Sequence, residues 1–190
     1  MQKIMFNDRY YHTNAFIEER KTRATQIMAG IDFPVNMVMG RVLPDKDGKI
    51  YAVANGENII VKLRYKVGEV VAVAQCYNDV VREFTDLAFV PGSTNKMFVR
   101  ADLMPHQIRI IGIRCERLRD ISDEECIKEG VYAGSQALEY PYYFIDTKQF
   151  LICDYKSPRE AFAALIDKVS GRGTWDRNPW VVVYEFELVK

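Results

Sequence analysis

The chain has 190 residues, of which 48% are hydrophobic and 27% charged, and its 26 basic residues balance 26 acidic ones to a formal net charge of zero. A chain of this length and composition suits one globular domain that buries its own core, so we predict a single domain over residues 1–190. The balanced charge excludes binding to nucleic acid or to an anionic membrane through overall charge alone, and any such contact would need a local basic patch.

Metal, membrane and cofactor signals are weak in this sequence. The four cysteines form no Cys-x-x-Cys pair and only two histidines occur, so we predict no metal site and reduced thiols, as in a cytoplasmic protein. The first residues are too polar for a secretory signal, and no apolar run approaches the roughly 20 residues of a membrane helix. No glycine-rich nucleotide motif is present, and we predict no cofactor and no membrane partner.

Short strands are predicted in the first half of the chain. Residues 3–6 indicate an edge strand, residues 34–43 and 50–54 flank a turn and predict a hairpin, and residues 70–75 form an unbroken apolar run typical of a strand buried on both faces. Residues 19–26 are a dense polar cluster, which we interpret as the solvated end of a short helix.

The second half adds helices with clear start and stop signals. Residues 107–118 predict a long strand with a bulge at Gly112. Ser122 and Glu125 have the spacing of a capping box at the start of a short helix, which Gly130 would end. Residues 131–155 read as an insertion that contains a hairpin.

The C-terminal region predicts a helix, a loop and a strand. Ser157 and Pro158 would begin the helix, and Glu160 would complete a capping box with Ser157. The helix presents one apolar stripe. Residues 171–180 form a turn-rich loop that holds both tryptophans, and residues 181–189 predict the final strand. Because six to eight strands do not alternate regularly with three or four short helices, we predict an α+β fold, a mixed β-barrel with short peripheral helices.

Several segments together resemble the ASCH domain, in the form found in phages and prophages. They are Arg20-Lys21-Thr22, the entry to the strand at residues 67–71, the long segment from Arg114 to Gly130, and the C-terminal segment from Trp175 to Phe186. The resemblance implies a fold similar to the PUA domain, with a cleft suited to RNA or a nucleotide. Some members of the family are amidohydrolases of acetylated cytidine and some are ribonucleases, whereas most have no established activity.

The same resemblance implies a lysine, a threonine and a glutamate in the cleft. Lys21 and Glu129 match two of them. In the family pattern Lys-Thr-x-Thr the second threonine is the nucleophile, but here Ala24 stands at that position, Thr22 matches the first threonine and Thr25 comes one residue late. A threonine hydroxyl needs a base beside it to become a nucleophile, and a buried lysine can serve. The catalytic candidates are therefore Lys21, Thr22, Thr25 and Glu129; solvent-exposed structural roles for Lys21 and Glu129 are the alternative.

A binding role would use other side chains. Basic residues near Lys21 would meet Lys168 and the C-terminal loop across one cleft and hold phosphate groups. Trp175 would stack on a base, Trp180 would pack in the core, and a histidine would supply an acid or base. The ligand-binding candidates are Arg20, Arg23, His106, Arg172, Thr174, Trp175 and Arg177.

These observations predict a protein that binds RNA or a nucleotide-like ligand in a basic and aromatic cleft. Two enzymatic alternatives stay open: a metal-independent amidohydrolase of a modified nucleoside such as acetylated cytidine, and a ribonuclease. A module of phage origin that binds another protein is a further alternative.

Overall fold

The computed structural model describes residues 1–6, 21–28, 39–44, 50–54, 57–61, 63–80, 90–134, 143–145 and 152–189. The strands are β1 (Lys3–Ile4), β2 (Arg23–Ile27), β3 (Met39–Pro44), β4 (Ile50–Ala54), β5 (Glu57–Val61), β6 (Val70–Val73), β7 (Gln107–Arg117), β8 (Tyr132–Ala133), β9 (Tyr143–Ile145), β10 (Ile152–Tyr155) and β11 (Trp180–Leu188). The α-helices are α1 (Tyr77–Val80), α2 (Asp123–Lys128), α3 (Pro158–Ser170) and α4 (Thr174–Arg177).

A five-stranded sheet in the order β1-β6-β7-β11-β2 forms the centre of the fold. Neighbouring strands are antiparallel except β1 and β6, which are parallel. The protein is therefore a mixed α+β fold. The interpretation of residues 19–26 as a helix end is wrong for Arg23–Ile27, because this segment forms β2, the edge strand beside β11. The helix expected before it lies outside the described residues.

Strand β11 separates two apolar cores because its side chains alternate between the faces of the sheet. Val182, Tyr184 and Phe186 point into a core that β1, β6 and β7 complete. Val181 and Val183 point the other way, into a core that the helices α2 and α3 cover. The first of these cores also contains Val71 and Val73, which are fully buried as the apolar run predicted.

A bulge interrupts the pairing of β7 with β11, close to the position that the sequence indicated. Glu185 pairs with Gly112, but the next residue of β11, Phe186, pairs with Ile110, so Ile111 is the extra residue. A side chain at position 112 would begin 2.9 Å from the carboxylate of Glu185. Glycine at this position therefore makes room for that carboxylate.

The helix signals are confirmed, with one correction. Ser122 and Glu125 form the predicted capping box, and Gly130 follows α2 with a φ of 104°. Ser157 caps α3 by accepting a hydrogen bond from the Glu160 N–H. The box expected there is not completed, because the Glu160 carboxylate accepts from the N–H of Lys156 instead.

Two three-stranded sheets accompany the central one, in the orders β3-β4-β5 and β10-β9-β8. Antiparallel pairing of β3 with β4 and of β9 with β10 confirms both predicted hairpins. The second small sheet falls within the predicted insertion, and its strand β9 contributes Ile145 to the core beneath α3. Within the described residues, no helix has the length and apolar character needed to cross a lipid bilayer.

Two adjacent residues of β11 test the core assignment. Phe186 is 2% exposed, with its ring centroid 5.7 Å from that of Phe6, whereas Glu187 faces solvent and pairs with Arg109. We expect Phe186→Ala to lower the free energy of unfolding by about 3–5 kcal/mol, since it leaves a cavity in the core. Glu187→Ala, the matched control, should cost under about 1 kcal/mol. Urea unfolding measures both, and equal effects would contradict the assignment.

Candidate functional site

A buried ion pair joins the beginning of β2 to the end of α2. The Lys21 ammonium donates to the Glu129 carboxylate at 2.8 Å and to the Glu129 backbone carbonyl at 2.6 Å. The two residues are only 3% and 4% exposed, which excludes the solvent-exposed roles considered above. Because burying a charge is costly unless it is paired, each of these side chains depends on the other.

The local sequence explains why the two charges meet. Helix α2 begins at its N-terminal cap, Ser122, and ends at its C-terminal cap, Glu129. The Glu129 carboxylate therefore lies at the end of the helix, next to Gly130. On the other side, the Thr22 N–H donates to the Lys128 carbonyl at 3.2 Å and the Thr22 carbonyl accepts from the Phe186 N–H. These backbone bonds hold the chain before β2 between α2 and β11, with Lys21 facing Glu129.

Arg23 is the most enclosed cation of the site, at 1% exposure. Its guanidinium contacts three carboxylates, those of Glu116, Glu125 and Glu129, with an Nε to Oε1 distance of 3.3 Å for the last. The contact of Nη1 with Glu125 is an ion pair without hydrogen-bond geometry. A phosphate approaching Lys21 or Arg23 would have to displace these carboxylates, so neither cation forms part of an exposed basic patch.

Strand register places the charges on one face of the sheet. In the strand register, Arg23 of β2 lies opposite Glu185 of β11. Val183 of β11 lies opposite Thr25 of β2 on one side and opposite Arg114 of β7 on the other. Directly paired residues of antiparallel strands point to the same face, so all five lie on the side covered by α2 and α3. Arg114 there contacts the carboxylates of Glu116, Glu125 and Glu185.

Glu125 serves both the helix and the ion network. Burial would raise the pKa of its carboxyl, but the hydrogen bond from the Ser122 backbone and the charges of Arg23 and Arg114 outweigh burial and hold the pKa below its usual value. The carboxyl therefore stays ionised in the folded protein. The capping box that starts α2 and the ion network that ends at Glu129 share this single side chain.

Thr25 lies on the same face as Arg23, and its hydroxyl donates a hydrogen bond to the Glu129 carboxylate. Its neighbour Ala24 pairs with Tyr184 and points into the core on the opposite face of the sheet. The one-residue offset from the family pattern thus places Thr25, not residue 24, beside the glutamate. The base nearest the hydroxyl is Glu129, whereas the sequence suggested Lys21.

A cavity of about 150 Å³ opens at this edge of the sheet. Lys21, Thr25 and Glu129 line it together, so three of the four catalytic candidates share one space. Its other described lining residues come from the segment around β1, from β2 and from α3: Ile4, Met5, Phe6, Ala24, Gln26, Ile27, Phe162, Leu165, Ile166, Val169 and Ser170.

The C-terminal loop is folded against α3. The Asp167 carboxylate accepts hydrogen bonds from the N–H groups of Gly173 and Trp175, each at 2.9 Å. These bonds hold the pKa of Asp167 below its usual value. The half-buried Trp175 ring packs edge-on against Phe162 with centroids 6.2 Å apart, and its predicted stacking on a base stays a prediction.

The other predicted binding residues are not among the described residues that line the cavity. Thr174 is buried, donates to the Gly171 carbonyl at 2.6 Å and accepts from Arg177 at 2.8 Å, while Arg172 is exposed. His106 precedes β7, where its carbonyl accepts from the Val73 N–H. Thr22 is half-buried but is not among the lining residues, and Arg20 lies outside the described residues.

Sequence reasoning missed the network behind Lys21 and the apolar wall of the cavity. Glu116 and Arg114 lie on the same face of β7, across β11 from the edge strand, but their place in one network with Arg23 becomes visible only when β2 is recognised as a strand. The apolar stripe of α3 was predicted, and what the sequence could not show is that Phe162, Ile166 and Val169 border a cavity. Trp180 is half-buried, with the Arg117 guanidinium 4.5 Å from its ring centroid.

No group of three or more His, Cys, Asp or Glu side chains arranged for a metal ion occurs in the described part of the chain. Comparisons with protein-family models, with curated proteins and with solved structures found no match. The roles of the site residues therefore rest on their geometry and on the resemblance in sequence.

Two arginines test the dependence of the fold on the buried network. Arg23→Ala should lower the free energy of unfolding by about 3–5 kcal/mol, because it leaves buried carboxylates without their partner. Arg109→Ala removes an exposed ion pair with Glu187, whose side chains are 47% and 50% exposed, and should cost about 0–1 kcal/mol. Chemical denaturation of both variants provides the comparison, and a small effect of Arg23→Ala would contradict the dependence of the fold on this network.

The pH dependence of the unfolding free energy should reveal the stabilising contribution of the Glu125 carboxylate. Since its folded pKa lies below the unfolded one, its stabilising contribution is present above the ordinary value of 4.5 and is lost as the pH falls through the folded pKa. The difference in unfolding free energy between the unmodified protein and Glu125→Gln should therefore shrink as the pH falls from about 6 to about 3. Denaturation at several pH values measures it, and a constant difference would contradict the assignment.

Proposed function

We propose that this protein is an amidohydrolase that cleaves an acyl group from a modified nucleoside such as acetylated cytidine. The observation that carries the proposal is the meeting of Lys21, Thr25 and Glu129 in one cavity, with the threonine hydroxyl donating to the glutamate. A nucleophile hydrogen-bonded to a base, with that base held in turn by a third group, is the general signature of covalent catalysis.

In the proposed reaction, the Thr25 hydroxyl oxygen attacks the amide carbonyl carbon while Glu129 takes the hydroxyl proton. The tetrahedral intermediate collapses by breaking the C–N bond, and the leaving amine takes the proton from Glu129. Water then attacks the threonine ester, again giving its proton to Glu129, and the carboxylic acid leaves as the threonine hydroxyl is restored. The sum is amide and water to amine and acid, with no oxidant, reductant or cofactor.

Lys21 has the donors that this reaction needs. An ammonium group carries three N–H donors, and two of them go to the carboxylate and the carbonyl of Glu129. The third can donate to the substrate carbonyl and stabilise the negative charge that develops on its oxygen. In the same arrangement, Arg23 holds the Glu129 oxygen that faces Thr25.

The fold is compatible with the family that the sequence resembles. A five-stranded, mostly antiparallel sheet with short helices beside it agrees with a PUA-like barrel, which we propose as the architecture of this ASCH-type chain. The RNA-binding hypothesis has less support, since Lys21 and Arg23 are buried against glutamates. The other described cations of the predicted basic cleft are Lys168 at the end of α3, Arg172 in the loop after it and Arg177 at the end of α4.

Incubation with N4-acetylcytidine and other acylated nucleosides, followed by mass spectrometry, tests the proposal. Thr25→Val keeps the shape of the side chain and removes the hydroxyl, so it should abolish turnover, whereas Thr25→Ser should retain part of it. Glu129→Gln should lower kcat by about 10²–10⁴-fold through loss of the base. A chelator should leave the rate unchanged, because the nucleophile is a side chain.

Circular dichroism of each variant separates loss of chemistry from loss of folding. Turnover that persists in a folded Thr25→Val variant would overturn the nucleophile assignment. No turnover by the unmodified protein on any acylated nucleoside would overturn the proposed function.

A further inference from the structure

The charge at the polar end of the cavity limits what can bind there. Three cations, Lys21, Arg23 and Arg114, share the network with four carboxylates, but of these seven groups only Lys21 and Glu129 line the cavity. Among the described residues, a ligand thus meets one positive and one negative group, whose Nζ and Oε2 atoms are 2.8 Å apart. The pair is neutral as a unit.

Charged ligands fit this pair poorly. A ligand carboxylate would be attracted to Lys21 but repelled by Glu129 at nearly the same distance, and a ligand ammonium would meet the reverse. Displacing either partner would leave the other charge buried alone, which costs several kcal/mol. A neutral group with an acceptor and a donor side by side satisfies both partners, and an amide, with its C=O and N–H, has that arrangement.

The rest of the cavity is small and mostly apolar, with Thr25, Gln26 and Ser170 as its other polar lining residues in the described part of the chain. Phe6 stands at one side, 5.8 Å from its ring centroid to the Lys21 ammonium, and Phe162, Leu165 and Ile166 form the wall from α3. A dry cavity of about 150 Å³ lined by Leu, Ile and Phe accommodates a benzene molecule. The volume here is about the same, so the cavity holds one phenyl-sized group, and the second ring of a fused system would extend out of its opening.

We propose that this cavity selects a neutral carboxamide whose apolar substituent is about the size of a single phenyl ring. The amide carbonyl accepts from Lys21, the amide N–H donates to Glu129, and the ring lies against Phe162 and Ile166. The inference deepens the proposed function, on which it rests for the reaction. It widens the substrate class from acetyl amides to aromatic acyl amides.

Three probes of similar size, each with one phenyl ring, test the charge requirement by binding, without any need for turnover. Benzamide, benzoate and benzylammonium are titrated into the uniformly ¹⁵N-labelled protein and followed by NMR. Benzamide should give saturable shifts at residues around the cavity, and the two ions should bind at least about tenfold more weakly, a difference of about 1.4 kcal/mol. The larger 2-naphthamide tests the size limit and should bind no more tightly than benzamide, because its second ring finds no place inside the cavity.

A pair of variants locates the binding. Val169 lines the cavity and is 43% exposed, so Val169→Trp should close the mouth of the cavity with little effect on folding. It should weaken benzamide binding at least about tenfold. Ile127→Trp adds the same side chain at a site that is 38% exposed and is not among the lining residues, and should leave binding unchanged.

Absence of saturable benzamide binding, equal binding of benzoate, or insensitivity to Val169→Trp would overturn the inference. Turnover of acylated nucleosides without benzamide binding would refute this inference and leave the hydrolase proposal intact. Benzamide binding without turnover of any acylated nucleoside would support this inference and refute the hydrolase proposal.

Discussion

The burial of the Lys21–Glu129 pair is the constraint on which the rest of the site depends. Burying either charge without the other is costly, so the segment that leads into the edge strand β2 and the end of α2 must meet whenever the chain folds. Arg23 extends the constraint to β7, because its Nη2 donates to the Glu116 carboxylate. A cavity wall that carries charge is therefore held at an edge of the sheet by contacts with α2 and β7.

This arrangement is costly for stability and useful for chemistry. A well-packed apolar pair at the same positions would hold the fold as well or better, since buried ion pairs seldom add net stability. What the ion pair supplies is a donor and an acceptor already oriented at the polar end of the cavity, with the Thr25 hydroxyl on the same carboxylate. Catalytic groups fixed in advance in this way need no reorganisation when charge develops in the reaction.

Much of the fold could be predicted because its signals are local. The capping box at Ser122, the proline that starts α3 and the apolar alternation of β11 each act over a few residues. The edge strand β2 could not be recognised, because its sequence Arg-Ala-Thr-Gln-Ile places polar residues on the face that the ion network buries. An apolar pattern cannot reveal a strand whose buried face is charged.

The same reason limited what could be said of the site. Lys21 and Glu129 were found through the family resemblance, but their burial and the choice of Thr25 over residue 24 follow from strand register, which depends on distant residues of β11. The tryptophan loop was the most prominent aromatic feature of the sequence. In the structure, Asp167 and Phe162 hold it against α3, and the cavity lies beside the helix itself.

The central claim is that Thr25 forms a covalent bond with the acyl group of the substrate. Rapid acid quenching during turnover of N4-acetylcytidine, followed by peptide mass spectrometry, tests it most directly. The account predicts an acetyl ester on the peptide that contains Thr25, located on that residue by fragmentation. Product formation with the acetyl group on another residue, or with Thr25 unmodified at every quench time, would contradict it.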